Sequence, residues 1–386
     1  MIVIKNATIM PMTSETINNG QIEIENGKIS YVGIARDVDQ VERTIDARGS
    51  LVTPGLIDAH CHIGLFEEGI GFEGDDGNEM TDPITPNMRG IDGINPHDEA
   101  FELARAGGVT TAITGPGSAN VVGGTFLAIK TVGNRVDDMV LKDPIAMKIA
   151  FGENPKRVYN GRKQTPMTRM GTAALLREAL NKAKEYDGKM SLEDESKHPG
   201  FDAKLEALRP VVRGELPLKA HAHRADDIFT AIRIADEFGI PITLDHCTEG
   251  HLIADHLGKI GKPAIVGPTF GNKSKFELNK KTFKTPKALV EAGVKIAINT
   301  DSPVIPLENL PLCAALAVKE GLDETEAWKS ITINPAEICG ISDRVGSLEV
   351  GKDADIVVFS GDPMHDVDYR VKYTIIDGVI VYEGKQ

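Results

Sequence analysis

Five of the ten histidines in this 386-residue chain, together with one aspartate, stand where short apolar runs end. His60 and His62 close the run Leu51–Ile57 in Asp58-Ala59-His60-Cys61-His62. Alternate residues of a strand point to one face, so these two imidazoles can grip one ion from a single strand end. His221 and His223 follow Pro217–Ala220, His246 follows Pro241–Asp245, and Asp301 follows Val294–Thr300. A lone His-x-His also describes two surface histidines. The same placement at four strand-to-helix junctions points instead to a metal site, because such junctions converge on one face of a closed parallel barrel. Imidazole nitrogens and carboxylates suit Zn²⁺, with Mn or Fe as alternatives, in one or two ions. The chemistry this favours is metal-assisted hydrolysis.

The elements that must position these residues alternate along the chain. Gly108–Thr114, Ile145–Phe151, Pro217–Ala220, Pro241–Leu244, Ala264–Val266 and Val294–Asn299 are continuous apolar runs, as expected of strands covered on both faces by helices. Between them lie helix-periodic segments: Asp226–Phe238 carries Ile228, Ile232 and Ala235 on one face and stops at Gly239. Thr285-Pro286 reads as a helix start ended by Gly293, and Asn334-Pro335 opens a shorter helix ended by Gly340. Short β-rich stretches flank this core. Asn18-Asn19-Gly20, Asn26-Gly27 and Asp377-Gly378 are hairpin-type signals. The expected fold is α/β, its βα units forming a barrel or a doubly wound sheet, with the strands at the two chain ends sharing one small sheet domain.

Composition narrows the partners. With 43 Lys+Arg against 57 Asp+Glu, the net charge of −14 disfavours a nucleic-acid backbone or an anionic membrane. No run is long and apolar enough for a transmembrane helix, and MIVIKNATIM lacks the features of a secretion signal. Four widely spaced cysteines fit a reducing compartment. The expectation is a cytoplasmic homo-oligomer acting on a small molecule.

The chain resembles the amidohydrolase superfamily, in particular its imidazolonepropionase-like branch, which also holds prolidase-like enzymes. The resemblance spans nearly the whole chain and implies an α/β fold, a distorted TIM (β/α)8 barrel over residues 54–344 with residues 1–53 and 345–386 sharing a small β-sandwich domain. It rests on Val52-Thr53-Pro54-Gly55-Leu56-Ile57-Asp58-Ala59-His60-Cys61-His62, on His221-Ala222-His223, on Thr300-Asp301-Ser302, and on Gly346–Val358. It implies that His60 and His62 are first-strand metal ligands, His221 the fifth-strand ligand and His246 the sixth. Asp301 would be the aspartate that touches the metal and shuttles protons, as general base and then general acid. His223 or Arg224 would hold an oxyanion or a substrate carboxylate. Two-metal members bridge their ions with a carbamylated lysine or a glutamate from a middle strand. Lys148 and Glu153 are the candidates, and Glu153, lying past the strand end, is the favoured one. The expected reaction is cleavage of an amide or cyclic amide C–N bond. Deamination of an aminated heterocycle is the rival, weakened because Arg224 stands where deaminases place a glutamate; His246-Cys247-Thr248-Glu249 has that spacing on the next strand. A non-catalytic scaffold of the same fold is the other alternative.

Three further segments stand out. Gly115–Gly124 is a glycine-rich loop that does not fit a dinucleotide fingerprint. Glu67–Asn95, long and unpatterned, reads as a lid or a subunit contact. Asn154–Met170 is a basic island, by default a solvated face and otherwise an anion site.

Overall fold

The computed structural model describes residues 1–385. Strands β1 (Ile2–Ile9), β2 (Ile17–Glu25), β3 (Lys28–Ile34), β4 (Arg43–Asp46) and β5 (Leu51–Pro54) come first. β6 (Leu56–Cys61), β7 (Val109–Thr114), β8 (Val122–Lys130), β9 (Val140–Ala150), β10 (Leu218–Ala222), β11 (Ile242–His246), β12 (Ala264–Val266) and β13 (Ile296–Ile298) follow. β14 (Ile356–Phe359), β15 (Val371–Ile376) and β16 (Val379–Glu383) complete the order. β6 to β13 make one eight-stranded sheet in sequence order, and β1–β5 with β14–β16 make a second.

The first sheet nearly closes on itself. Its edges, β6 and β13, meet through the segments that extend them: His62 N donates to Ser302 O at 2.7 Å and Asp301 N to His60 O at 3.2 Å. Each helix that covers the sheet has a sequence reason to stop and start. Helix Ala225–Phe238 buries Ile228, Ala231, Ile232 and Ala235 and ends at Gly239. Helix Arg169–Met190 is capped by Thr168, which accepts from Gly171 N. Helix Thr285–Glu291 has its proline in the first turn, with Thr285 already helical.

One strand departs from a βα rhythm. β8 runs antiparallel to both β7 and β9. It begins at Val122 and takes in Gly123-Gly124, so the glycine-rich stretch is a shorter loop leading into a strand. The Asn26-Gly27 and Asp377-Gly378 turns are present, with positive φ at all four residues (50°, 77°, 48° and 75°), as a two-residue hairpin turn of this hand requires. Asn18-Asn19-Gly20 is not a turn. It lies inside β2, where the β1 pairing register shifts beside Ala7, and the irregularity absorbs the φ of +53° at Asn19.

The two sheets are pinned by a buried cation. Lys130, at the end of β8, reaches Asp355 at 2.5 Å and Asp353 at 3.1 Å. Burial raises the Asp355 carboxyl, with Lys130 opposing it. Lys130→Met strands that carboxylate, and breaking a buried pair this way costs about 3–5 kcal/mol. The urea midpoint, followed through the single, buried Trp328, is expected to fall accordingly; an unchanged midpoint would remove the pair from the stability account.

Candidate metal centre

The polar side chains gather at the C-terminal ends of the barrel strands, the face on which barrel loops build sites. Across the parallel ladder His221 is paired with Asp245 and Ala222 with His246. Lys219 and Asp245 meet at 3.3 Å inside the barrel. Strict alternation would turn His246 away from Asp245, but His246 adopts a φ of +72°, which re-aims it toward the histidines of β6 and β10. Asp301, at φ +56°, is likewise bent inward just past β13. Left-handed backbone at two non-glycine residues is strain held by the surrounding packing.

Two groups result. His60, His62 and Asp301 bring one donor atom each within 4.8 Å of one another, and so do His221, His223 and His246. The rings of His60 and His246 lie 4.9 Å apart, joining the groups. Second hydrogen bonds set the tautomers. His62 Nδ1 donates to Gly115 O at 2.7 Å and His246 Nδ1 to Gly267 O at 2.8 Å. A carbonyl can only accept, so both Nε2 atoms carry free lone pairs. His62 Nε2 lies 3.3 Å from Asp301 Oδ1. His221 Nε2 and His246 Nε2 are buried without a hydrogen-bond partner, at about 1–3 kcal/mol each. A bound cation at this cluster would relieve such a cost, and the donor set fits a divalent ion.

Protonation follows the same logic. Burial, reinforced by the nearby Lys148, lowers His60 to about 3, and burial lowers His246 to about 4. Both are neutral ligands near neutral pH. Burial would raise Asp301, but the surrounding histidines, His246 first and then His60 and His62, outweigh it and hold the carboxyl well below its usual range. Asp58 accepts from His60 N (2.9 Å), Thr300 N (2.8 Å) and Thr300 Oγ1 (2.7 Å).

The groups open on a cavity of about 500 Å³ lined by His62, His221, His223, Asp301, Arg157 and Lys275, among others. His223 is there as expected, its Nδ1 2.7 Å from Thr248 Oγ1. Arg224 is not. It forms a two-pronged pair with Asp226, and the cavity's arginine is Arg157, from the basic island. Glu153 also departs from expectation. It opens helix Glu153–Gly161, neither group contains it, and its carboxylate accepts from Glu277 N at 3.4 Å. The inward place belongs to Lys148, fully buried with Nζ 3.2 Å from His60 Nε2; burial lowers this amine to about 8. Glu249, the deaminase-like carboxylate, accepts from Ala225 N instead. From the Glu67–Asn95 loop, Asn78 lines the cavity, as does Phe66 just before it.

Sequence reasoning passed over Glu277. It is buried, with Oε1 3.8 Å from His221 Nε2, 3.7 Å from His223 Nε2 and 2.8 Å from Lys275 Nζ. Gly152 makes room for it: a Cβ there would stand 2.5 Å from Glu277 Oε2. The only sequence signal was its place in the loop after β12.

A family model described as the amidohydrolase family matches residues 51–382. Among curated proteins, amidohydrolase tasK of Hapsidospora irregularis is 32% identical over 374 residues. That match takes in 89% of this chain and 38% of the relative, so the chain spans well under half of its length. The imidazolonepropionase of Bacillus cytotoxicus is 24% identical over 409 positions, covering 93% of this chain and 86% of that protein. The crystal structure of an amidohydrolase from Thermotoga maritima MSB8 superposes with a TM-score of 0.96 at 46% identity, each chain covered in full.

The Lys148 and Glu153 positions separate by metal analysis. Lys148→Met is expected to lower the divalent metal retained per chain through gel filtration, and Glu153→Gln to leave it unchanged. The reverse pattern would return the ligand role to Glu153.

Proposed function

This chain belongs to the amidohydrolase family, and we propose that it hydrolyses an amide or cyclic amide C–N bond of a small, carboxylate-bearing molecule. The observation that carries the reading is Asp301, facing His60 and His62 at 3.5 and 3.3 Å beside His246 on the wall of a cavity. In this reading the near-closed sheet is a distorted TIM barrel over residues 54–344, and residues 1–53 and 345–386 share a β-sandwich domain. The protein acts in the cytoplasm, consistent with four free cysteines.

His60, His62 and Asp301 would hold one divalent ion, zinc by donor chemistry. His221 and His246 would hold a second, with Lys148 between them. The metal supplies Lewis acidity, polarising the scissile carbonyl and acidifying a water. Asp301, ionised by its histidine neighbours, accepts the proton of the attacking water and passes it to the departing amine. His223, braced by Thr248, stands where it can meet the carbonyl oxygen as charge develops. Arg157 has the fork geometry that fits a substrate carboxylate. Lys148 suits a carbon dioxide adduct, because burial lowers its amine to about 8 and so favours the neutral, nucleophilic form. The deaminase reading loses support with Glu249 engaged as a helix-capping acceptor.

Amine release over a panel of N-acyl amino acids, dipeptides and carboxylated cyclic amides tests this. Asp301→Asn is expected to keep its metal and lose about 10²–10⁴ of its turnover. Arg157→Met is expected to raise KM about tenfold with little change in kcat, the loss of one exposed charge-assisted contact. A wild-type protein that binds no divalent metal, or an Asp301→Asn enzyme with normal turnover, would overturn the proposal.

A further inference from the structure

Behind His60, on the side away from Asp301, lies a buried pair that the proposed chemistry does not use. Asp245 Oδ2 is 2.9 Å from His60 Nδ1 and 3.3 Å from Lys219 Nζ, close ionic contacts whose angles lie outside hydrogen-bond range. Lys219 Nζ also donates to Ala59 O at 2.8 Å, on the strand that carries His60. The other Asp245 oxygen accepts from Thr243 Oγ1 at 3.0 Å. All three side chains are almost wholly buried. Two buried ions in a barrel interior are expensive unless they do something for each other, and a pair of apolar residues would fill the space at less cost.

The geometry points to Asp245 as the positioning residue of His60: it fixes the imidazole with its proton on Nδ1, leaving Nε2 to the ion, while Lys219 keeps that carboxylate charged and in place. His60 has two faces. Nε2 looks toward Lys148 Nζ at 3.2 Å, a donor that needs a lone pair, and toward Asp301 at 3.5 Å across the place an ion would take. Nδ1 looks at a carboxylate, where only N–H is useful. His62 and His246 have their tautomers set by the backbone carbonyls of Gly115 and Gly267. His60 has no such carbonyl, and Asp245 takes its place with a full negative charge. A carboxylate behind a ligating histidine raises its donor strength and restricts ring rotation, and removing such a partner costs about 10–100-fold in metal affinity. The pairing reaches across the barrel, from β11 to β6, and so carries no spacing signal.

This inference rests on the metal reading of His60, and its test separates the two. Zinc affinity is measured on metal-stripped full-length protein by competition with a chromophoric chelator, and the visible spectrum is recorded with Co²⁺. Asp245→Asn is expected to weaken zinc by about 10–100-fold and to shift the Co²⁺ bands; because it also strands the buried Lys219 and lowers the melting temperature, affinity and spectrum are the readouts that decide. Wild-type-like affinity and spectrum in Asp245→Asn, while His60→Gln loses the metal, would overturn the positioning role alone. Absence of metal binding by the wild type would overturn both readings. Should Asp245→Asn fail to fold, zinc-loaded wild type labelled with ¹⁵N-histidine decides. A protonated Nδ1 on His60, assigned by its loss in His60→Gln, supports the role, and a proton on Nε2 overturns it.

Discussion

Asp58 clasps the two edges of the barrel sheet. One oxygen accepts from His60 N; the other accepts from both the amide and the hydroxyl of Thr300. The carboxyl is fully buried, and burial raises it to about 7 against the pull of those hydrogen bonds. Asn299 adds a side-chain bond to His60 O at 3.1 Å. No regular ladder joins β6 to β13, so these side-chain contacts share the closure with a few backbone bonds. Closure is what puts Asp301 opposite His60 and His62. The cluster of histidines with Asp301 therefore depends on a seam in which one buried aspartate holds both edges, and its geometry can be no better defined than that seam.

The cluster also shows how burial selects for pairing. Taking a carboxylate or an ammonium out of water costs several kcal/mol unless a partner and hydrogen bonds compensate. Lys219 answers Asp245, and Asp301 has three histidines. Lys148 has only the His60 nitrogen at hydrogen-bonding distance, and burial lowers its amine to about 8. Glu277 accepts from the amide of Glu153 through Oε2, while Oε1 has the charge of Lys275 at 2.8 Å but no hydrogen bond.

Much of this was legible in the residues. Strands buried on both faces announce themselves as unbroken apolar runs, so β7 and β9 to β13 were visible within a few residues. The histidines and Asp301 were visible because they sit at the ends of those runs. What escaped did so for physical reasons. β8 has two glycines near its start, which carry little strand propensity, so it merged with the loop before it. Lys148 has the look of a solvated lysine, since nothing local says that a barrel interior will receive it. Glu153 and Arg224 have the right chemistry and the right neighbourhood in sequence, but each is claimed by a nearby partner. Arg157 was hidden in a basic island that suggested a surface, and Asp245 by its neighbour His246, the more obvious ligand.

The Lys130 cluster has a bearing on how the chain reaches this state. β5 pairs with β14, and Lys130 pairs with Asp353 and Asp355, so the second sheet joins segments separated by the whole barrel. During synthesis the first five strands leave the ribosome long before their partners exist. They must wait with an open edge, the arrangement most exposed to wrong pairing. Lys130 waits too, a buried-to-be cation whose counterions arrive last. The arrival of the Gly346–Phe359 segment then shuts that edge and neutralises the lysine together, before β15 and β16 extend the sheet.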